Sequence, residues 1–233
     1  MFRDALRDAL LDAWALLLPV DCAGCGAPDR AACAACRALF APRPSTHRLP
    51  DGTPVVSALD YAGEVRAAVL ALKEKGRTDV ARRLAAPLAA AIAEAARAGP
   101  GAGVAAAVRP VELLAVPTSR AAYRRRGYDP VALLVRRAGL RGAAELVVTR
   151  RSAQQKKLGV AARASNREGS LRARRPLDGR RFVLVDDVLT SGATLAEAAR
   201  AVRAAGGQVV SAATLAYTPR LLPHPHDASL NVS

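Results

Sequence analysis

The clearest pattern of apolar and polar positions runs from Arg181 to Leu215. Phe182-Val183-Leu184-Val185 is an uninterrupted, β-branched apolar run, the pattern of a strand buried on both faces, as in a parallel sheet. The strand is expected to stop on Asp186-Asp187. Small, hydroxyl-bearing residues follow, and then Leu195, Ala198, Ala199, Val202 and Ala205 keep the three-to-four spacing of an amphipathic helix. Gly206-Gly207 ends that helix, and Gln208 to Leu215 reads as the next strand. The unit is therefore βαβ, and its loop falls at the carboxyl edge of the sheet, where open α/β sheets bind ligands.

The remaining pattern adds elements of the same kind. Residues 2 to 18 place Phe2, Leu6, Leu10, Ala13 and Leu17 on one helical face, which predicts an amphipathic helix docked on the protein body. Residues 41 to 54, rich in Pro, Ser and Thr, read as a linker. Pro54 to Tyr61 reads as a strand or hairpin arm, Tyr61 to Gly76 as a helix closed by glycine, and Asp79 to about Ala98 as a second helix with Leu84, Leu88 and Ile92 on one side. Leu113 to Val116 is a short buried strand, Val131, Leu134 and Val135 mark a helix face, and Leu146-Val147-Val148 reads as a further strand. From Arg150 to Arg175 no apolar period survives, so the segment is expected to be a solvated loop, with the character of a mobile lid. Gly101-Ala-Gly103-Val-Ala-Ala106 fits a dinucleotide fingerprint by letter but follows a helix and a proline, so it reads as a loop. The His224-Pro225-His226 tail reads as a disordered terminus.

With 233 residues the chain has room for one sizeable α/β core and a small appendage. Its formal charge of +15, from 35 Lys+Arg against 20 Asp+Glu, suits anionic ligands, whether diphosphates or nucleic acid. Aromatic residues at 3% count against a base-stacking platform for single strands. No apolar run approaches the ~20 residues that span a bilayer. Asp4, Asp8 and Asp12 interrupt the Leu-rich start in a way that a signal peptide does not tolerate, so a cytoplasmic protein without membrane insertion is expected.

Two places carry chemistry in their letters. Thr190, Ser191, Gly192, Ala193 and Thr194 offer hydroxyls and backbone N–H groups at a helix N-terminus, which suits a phosphate. Asp186 and Asp187 would repel a phosphate, yet as acceptor-only groups they suit the donors of a ribose diol, so the expected ligand is a ribose 5-phosphate. The bland alternative is a βα turn with incidental acids. A second strand-end loop, Pro117-Thr118-Ser119-Arg120, would hold a diphosphate of the same ligand from across the crevice. Near the N-terminus, Cys22-Ala-Gly-Cys25 and Cys33-Ala-Ala-Cys36 contain all four cysteines and read as a closed, structural Cys₄ zinc site. Gly24 and Gly26 would permit its tight turns. Two disulfides, or a thioredoxin-like redox pair, are the alternatives; the first needs an oxidising compartment and the second a preceding strand.

The Asp-Asp-Val-Leu-Thr-Ser-Gly-Ala-Thr stretch resembles the phosphoribosyl-diphosphate (PRPP) signature of type I phosphoribosyltransferases. A wider set of motifs occurs in the order seen in the ComF family of ComFC-like and GntX-like proteins: the paired CxxC, the segment bearing Lys73, Pro117-Thr118-Ser119 with Arg124 to Tyr128, Gln155-x-x-Leu158 with Arg163-x-x-Asn166, and the Asp-Asp loop. Where that family commonly has Arg-Gly-Phe-Asn, this chain has Arg126-Gly127-Tyr128-Asp129.

The resemblance implies a type I phosphoribosyltransferase fold, a central parallel sheet with flanking helices, plus a small N-terminal Cys₄ zinc-binding domain. It implies domains at 1–45 and 46–220 and a tail at 221–233, and in some members a role in DNA uptake. It further implies PRPP bound with Mg²⁺, with Thr190 to Thr194 on the 5-phosphate, Asp186 and Asp187 on the ribose, and Thr118, Ser119, Arg120 and Lys73 on the diphosphate. Gln155, Lys156 and Lys157 would belong to a closing loop. Three functions are consistent with this: phosphoribosyl transfer from PRPP to a nucleobase-like acceptor with release of diphosphate, a non-catalytic PRPP- or nucleotide-binding role in single-stranded DNA handling or competence, and a PRPP-sensing regulator. No catalytic base, acceptor pocket or oligomeric state follows from the letters.

Overall fold

A computed structural model describes residues 20–28, 30–98, 110–149 and 169–219. The amphipathic segment at residues 2 to 18, the glycine loop at 101 to 106, the loop residues Gln155, Lys156 and Lys157 and the motif residues Arg163 and Asn166 lie outside the described residues, as do His224 and His226.

Strands β1 (Ser45–Arg48), β2 (Pro54–Asp60), β3 (Val111–Ala115), β4 (Gly142–Ala143), β7 (Arg181–Leu189) and β8 (Gln208–Tyr217) form one sheet in the order β1-β2-β8-β7-β3-β4. Every neighbouring pair is parallel except β1 with β2. Helices α1 (Ala34–Leu39), α2 (Gly63–Glu74), α3 (Ala81–Ala98), α4 (Arg120–Arg126), α5 (Pro130–Arg137) and α6 (Ala193–Ala204) surround it.

The continuous apolar run of β7 is explained by two-sided burial. Val183 and Val185 join Leu84, Leu88 and Ile92 of α3 and Leu134 of α5 on one face; Phe182 and Leu184 join Leu195, Ala198, Ala199 and Val202 of α6 on the other. Each side chain from Phe182 to Val185 is fully buried, and at ~1.5–3 kcal/mol apiece such burial makes this strand a principal source of stability.

Three expectations are corrected. Residues 41 to 54 are not a linker: Ser45–Arg48 pairs antiparallel with β2, and the turn is closed by Gly52 at φ +82 and by the Asp51 carboxylate accepting the Thr53 N–H at 3.0 Å. An edge strand needs few apolar residues, which is why a polar segment could form it. Secondly, β7 does not stop at its acids. β8 is long enough to pair Asp186 with Thr214 and Leu189 with Tyr217, so the ladder continues to Leu189. Thirdly, the Arg150 to Arg175 segment is not all loop. Leu171–Ala173 forms β6, which pairs antiparallel with β5 (Leu146–Val148) in a separate two-stranded sheet. Glu145 anchors this small sheet to the amino edge of the large one, accepting from Arg175 and Arg180, while Arg180 also holds Glu112 of β3.

Candidate functional site

The chain leaves β3 towards β4 and leaves β7 towards β8, on opposite sides of the β3–β7 pair. The helices that follow, α5 and α6, accordingly pack on opposite faces of the sheet. The loops after β3 and β7 therefore diverge around a crevice at the carboxyl edge, the place where sheets of this kind take ligands. β3 ends with Ala115 opposite Val185, so from Asp186 onwards β7 is laddered on the β8 side only. Asp186 and Asp187 are half-buried on this opened edge.

The two acids are held differently. An Asp186 carboxylate oxygen accepts the Asp187 N–H at 2.8 Å, and the Asp187 carboxylate is paired with Lys73 Nζ at 3.0 Å. Lys73 comes from the last turn of α2, 114 residues away in sequence. Two further contacts fix that turn. The Tyr128 hydroxyl donates to the Leu72 carbonyl, and Arg126 and Arg125 bind the two oxygens of Glu74 at 2.6 and 3.1 Å. Burial opposes ionisation of Glu74, but the two guanidiniums outweigh it and hold the carboxyl below the usual range. Arg126 Nε is buried and has no partner among the described residues.

Beyond the acids, Thr190 and Ser191 are exposed and Gly192 is the N-cap of α6, in the left-handed region at φ +73. A Cβ on Gly192 would stand 2.8 Å from Leu49 Cδ2, so the position excludes a side chain on two grounds. Gly192 offers no capping side chain, which leaves the first turn of α6 suited to an anion.

The second loop is pinned rather than open. Thr118 N–H donates to one Asp129 carboxylate oxygen at 3.0 Å, and the other accepts the Ala132 N–H, capping α5. Asp129 is thus a brace between two segments. Ser119 caps α4 through the Ala122 N–H at 3.3 Å, and Arg120 is exposed in the first turn. The structure therefore groups Lys73 with Asp187, and sets Thr118 and Ser119 at the end of the neighbouring strand. Sequence reasoning missed Leu49, which abuts the Gly192 loop, and His47, whose ring lies 4.2 Å from that of Tyr217 at the end of β8. Neither carries a motif.

The four cysteines converge: their Sγ atoms all lie within 4.8 Å of one another, with Cys25 and Cys33 3.6 Å apart. Tetrahedral zinc at Zn–S about 2.3 Å sets thiolates about 3.8 Å apart, so the cage fits that ion. Burial alone would push the Cys22 thiol up, but backbone N–H donors from Cys25, Cys33 and Gly24 draw it down to about 6, as suits a thiolate ligand. Gly26 turns at φ +78, and a Cβ on Gly24 would meet Cys36 Sγ at 2.7 Å. Cys22 and Cys36 share one hydrophobic cluster with Val65 and Ala68 of α2, and Arg77 donates to the Asp21 carbonyl at 2.7 Å. The knuckle is thereby seated on the helix that carries Lys73.

Residues 122–231 match the phosphoribosyl transferase domain. The chain is also similar to the DNA utilization protein YhgH of Escherichia coli O6:H1 (strain CFT073), 29% identical over 202 residues that cover 84% of each protein. The similarity thus comprises a phosphoribosyl transferase domain in the second half of the chain and a DNA utilization protein along most of its length. The YhgH proteins of Shigella flexneri and of E. coli strain K12 are 28% identical to this chain over the same share of each. A crystal structure of adenine phosphoribosyltransferase from Thermoanaerobacter pseudethanolicus is 21% identical, with a TM-score of 0.33 over 66% of this chain and 76% of that one, a likeness too loose to bear on the site. Among the described residues no helix is long and apolar enough to cross a membrane.

Proposed function

We propose that the carboxyl-edge crevice binds PRPP and that the protein transfers its 5-phosphoribosyl group to a nucleobase-like acceptor, releasing diphosphate. The observation that carries this reading is the pair Asp186-Asp187 on the unladdered edge of β7, followed at once by the Gly192-led N-terminus of α6. Acids that accept from a ribose diol stand next to amides that donate to an anion, in the order that a ribose 5-phosphate requires.

In this reading Thr190 to Thr194 hold the 5-phosphate and Asp186 and Asp187 the 2- and 3-hydroxyls. Thr118, Ser119, Arg120 and Lys73 face the diphosphate, and Gln155, Lys156 and Lys157 belong to the segment that closes over it. Lys73 already sits on the Asp187 carboxylate, so arrival of a diphosphate would divide its charge between the two. Mg²⁺, when bound with the substrate, supplies neutralisation of the diphosphate, for which substrate oxygens and waters are its preferred ligands. The protein's own part is to orient the anomeric carbon and to meet the charge that develops on the leaving group. Zinc in the Cys₄ knuckle (residues 1–45) would be structural, since four thiolates leave it no open position. The knuckle and the ligand-binding part (46–220, with a tail at 221–233) are proposed as functional divisions within one packed body. The thiol cage suits the reducing cytoplasm.

Calorimetric titration of zinc-loaded protein with Mg²⁺–PRPP tests the site; absence of binding would refute it. Diphosphate release across a panel of nucleobases then tests turnover. A second reading, binding of PRPP or nucleotides in the handling of single-stranded DNA, is favoured by the similarity to the DNA utilization protein YhgH and by the charge of +15. It expects salt-dependent DNA binding.

A further inference from the structure

A cavity of about 540 Å³ lies between β6 and the second half of α6, well within the size of small-ligand sites. It is remote from the crevice. α6 starts beside Gly192 at the carboxyl edge, whereas the cavity is lined by α6 only from Arg200 onwards, about 12 Å further along the axis. On the β5 side of the small sheet, Arg174 N–H donates to the Glu145 carbonyl and Thr149 N–H to the Ser170 carbonyl, both at 2.8 Å. Alternate residues of an antiparallel strand turn their backbone groups the other way, so those of Leu171 and Ala173 face α6 and the cavity. The Leu171 pair is taken up by α6: its N–H donates to Glu197 at 2.8 Å and its carbonyl accepts from Arg200 at 3.0 Å. The Ala173 N–H faces the cavity itself.

The charges along the cavity are sorted. Arg175 and Arg200 are balanced by Glu145 and Glu197. Arg172 and Arg174 are exposed and have no carboxylate partner among the described residues, so they leave the β6 end positive. At the other end Leu177 N–H donates to the Ala205 carbonyl at 2.7 Å, and the Asp178 carboxylate lies so close over Gly206 that a Cβ there would overlap it. Arg200 and Ala205 mark the two ends, about 8 Å apart along α6. The floor between them is Ala201 and Ala204, with no polar side chain. A simple anion that filled this space would meet Asp178; a ligand with phosphates at one end and hydrogen-bond donors at the other would not.

We infer that this cavity binds a nucleoside polyphosphate, with its phosphates on Arg172, Arg174 and the Ala173 N–H and with hydroxyl or amino donors of its nucleoside on Asp178. Guanidiniums suit phosphate oxygens, and an ionised Asp only accepts, which fixes the direction of the ligand. The lining contains no Ser, Thr, Cys, Lys or His, so the site is one of binding and not of turnover, the place of an effector. This goes beyond the PRPP reading of the crevice and does not depend on it.

The test is calorimetry on the zinc-loaded full chain with ATP, GTP, inorganic triphosphate and adenosine, in magnesium buffer, with and without saturating PRPP. The proteins are the wild type, Arg174→Ser, Asp178→Asn and the crevice variant Asp187→Asn, with melting temperature as the report of folding. At least one nucleotide is expected to bind about tenfold more tightly than triphosphate or adenosine, with the same affinity when PRPP is present and in Asp187→Asn. Arg174→Ser is expected to weaken nucleotide and triphosphate alike, about tenfold. Asp178→Asn is expected to narrow the advantage of nucleotide over triphosphate about fivefold. Failure of both nucleotides to bind, or unchanged affinity in Arg174→Ser, overturns the site. Competition with PRPP, or loss in Asp187→Asn, places the nucleotide in the crevice and overturns it as well. Triphosphate bound as tightly as nucleotide overturns the role of Asp178. Should PRPP itself not bind, the crevice reading fails, while Arg174→Ser and Asp178→Asn still decide this one.

Discussion

Replacing Gly192 by alanine probes the phosphate loop at its tightest point. At φ +73 an L-residue costs about 1–2 kcal/mol relative to glycine. The new Cβ would also meet Leu49 Cδ2 at 2.8 Å and Leu189 Cδ1 at 3.7 Å. Leu49 and Leu189 are both buried, 4% and 1% exposed, so neither swings aside freely, and overpacking of this size costs about 1–3 kcal/mol. Together the two effects predict a loss of about 2–5 kcal/mol in guanidinium unfolding of the metal-replete protein. A loop shifted to relieve the contact no longer aims its amides, so Mg²⁺–PRPP affinity is expected to fall at least about tenfold by calorimetry. The two contributions separate in a double-mutant cycle. Leu49→Ala alone opens a cavity at a cost of about 2–5 kcal/mol, but in its presence Gly192→Ala should cost only the backbone term. The pair should thus be less damaging than the sum of the single changes by about 1–3 kcal/mol. Costs that simply add, or a Gly192→Ala protein within about 0.5 kcal/mol of wild type, would refute the close approach of the hairpin to the loop.

Other expectations follow from the same geometry. Glu145 is held at about 2, well below its ordinary 4.5, chiefly by Arg175 and then by Arg180, against the opposing effect of burial. Because the folded value is the lower one, its contribution to stability is present above pH 4.5 and is lost as pH falls towards 2. Glu145→Gln should flatten that acid limb in urea unfolding at stepped pH; an unchanged limb contradicts the ion-pair assignment. Asp129→Asn keeps one acceptor where two are used, so a loss of about 1 kcal/mol is expected, and Asp129→Ala, which removes both, should lose more; equal losses would show that the Thr118 contact is not formed. Native mass spectrometry should find one zinc per chain, released by thiol modification, and Cys36→Ser should lower the melting temperature, since Cys36 lies in the same cluster as α2. A folded, metal-free protein with unaltered melting would exclude the structural zinc.

The parts legible in the sequence were those whose physics is local. The run from Phe182 to Val185, the glycine stop after α6 and the CxxC pairs each state their structure in a few consecutive letters. What stayed hidden depends on partners distant in the chain. Nothing near Asp187 announces Lys73, and nothing near Gly192 announces Leu49. The β1 hairpin escaped notice because a strand at a sheet edge, with alternate residues exposed, does not need apolar letters. The length of β7 was misjudged for a related reason: paired acids look like a strand end, but the ladder is set by how far β8 extends. β2 likewise breaks its apolar run at Ser57, which is buried and satisfied by the Thr214 hydroxyl at 2.7 Å. Asp129, which stands where the ComF family commonly has asparagine, uses its two oxygens on backbone amides 11 and 3 residues away.

The recognised domain begins at residue 122, yet the sheet it belongs to does not. The outer edge of β8 is sealed by β2, its face by α3, and the start of α6 by Leu49, all from the first half of the chain. Cut out alone, the matched segment would present a bare ladder of amides and carbonyls, ready to recruit any other strand. The recognition half is therefore not a portable module: transplanting its specificity into another scaffold means carrying the N-terminal half along with it.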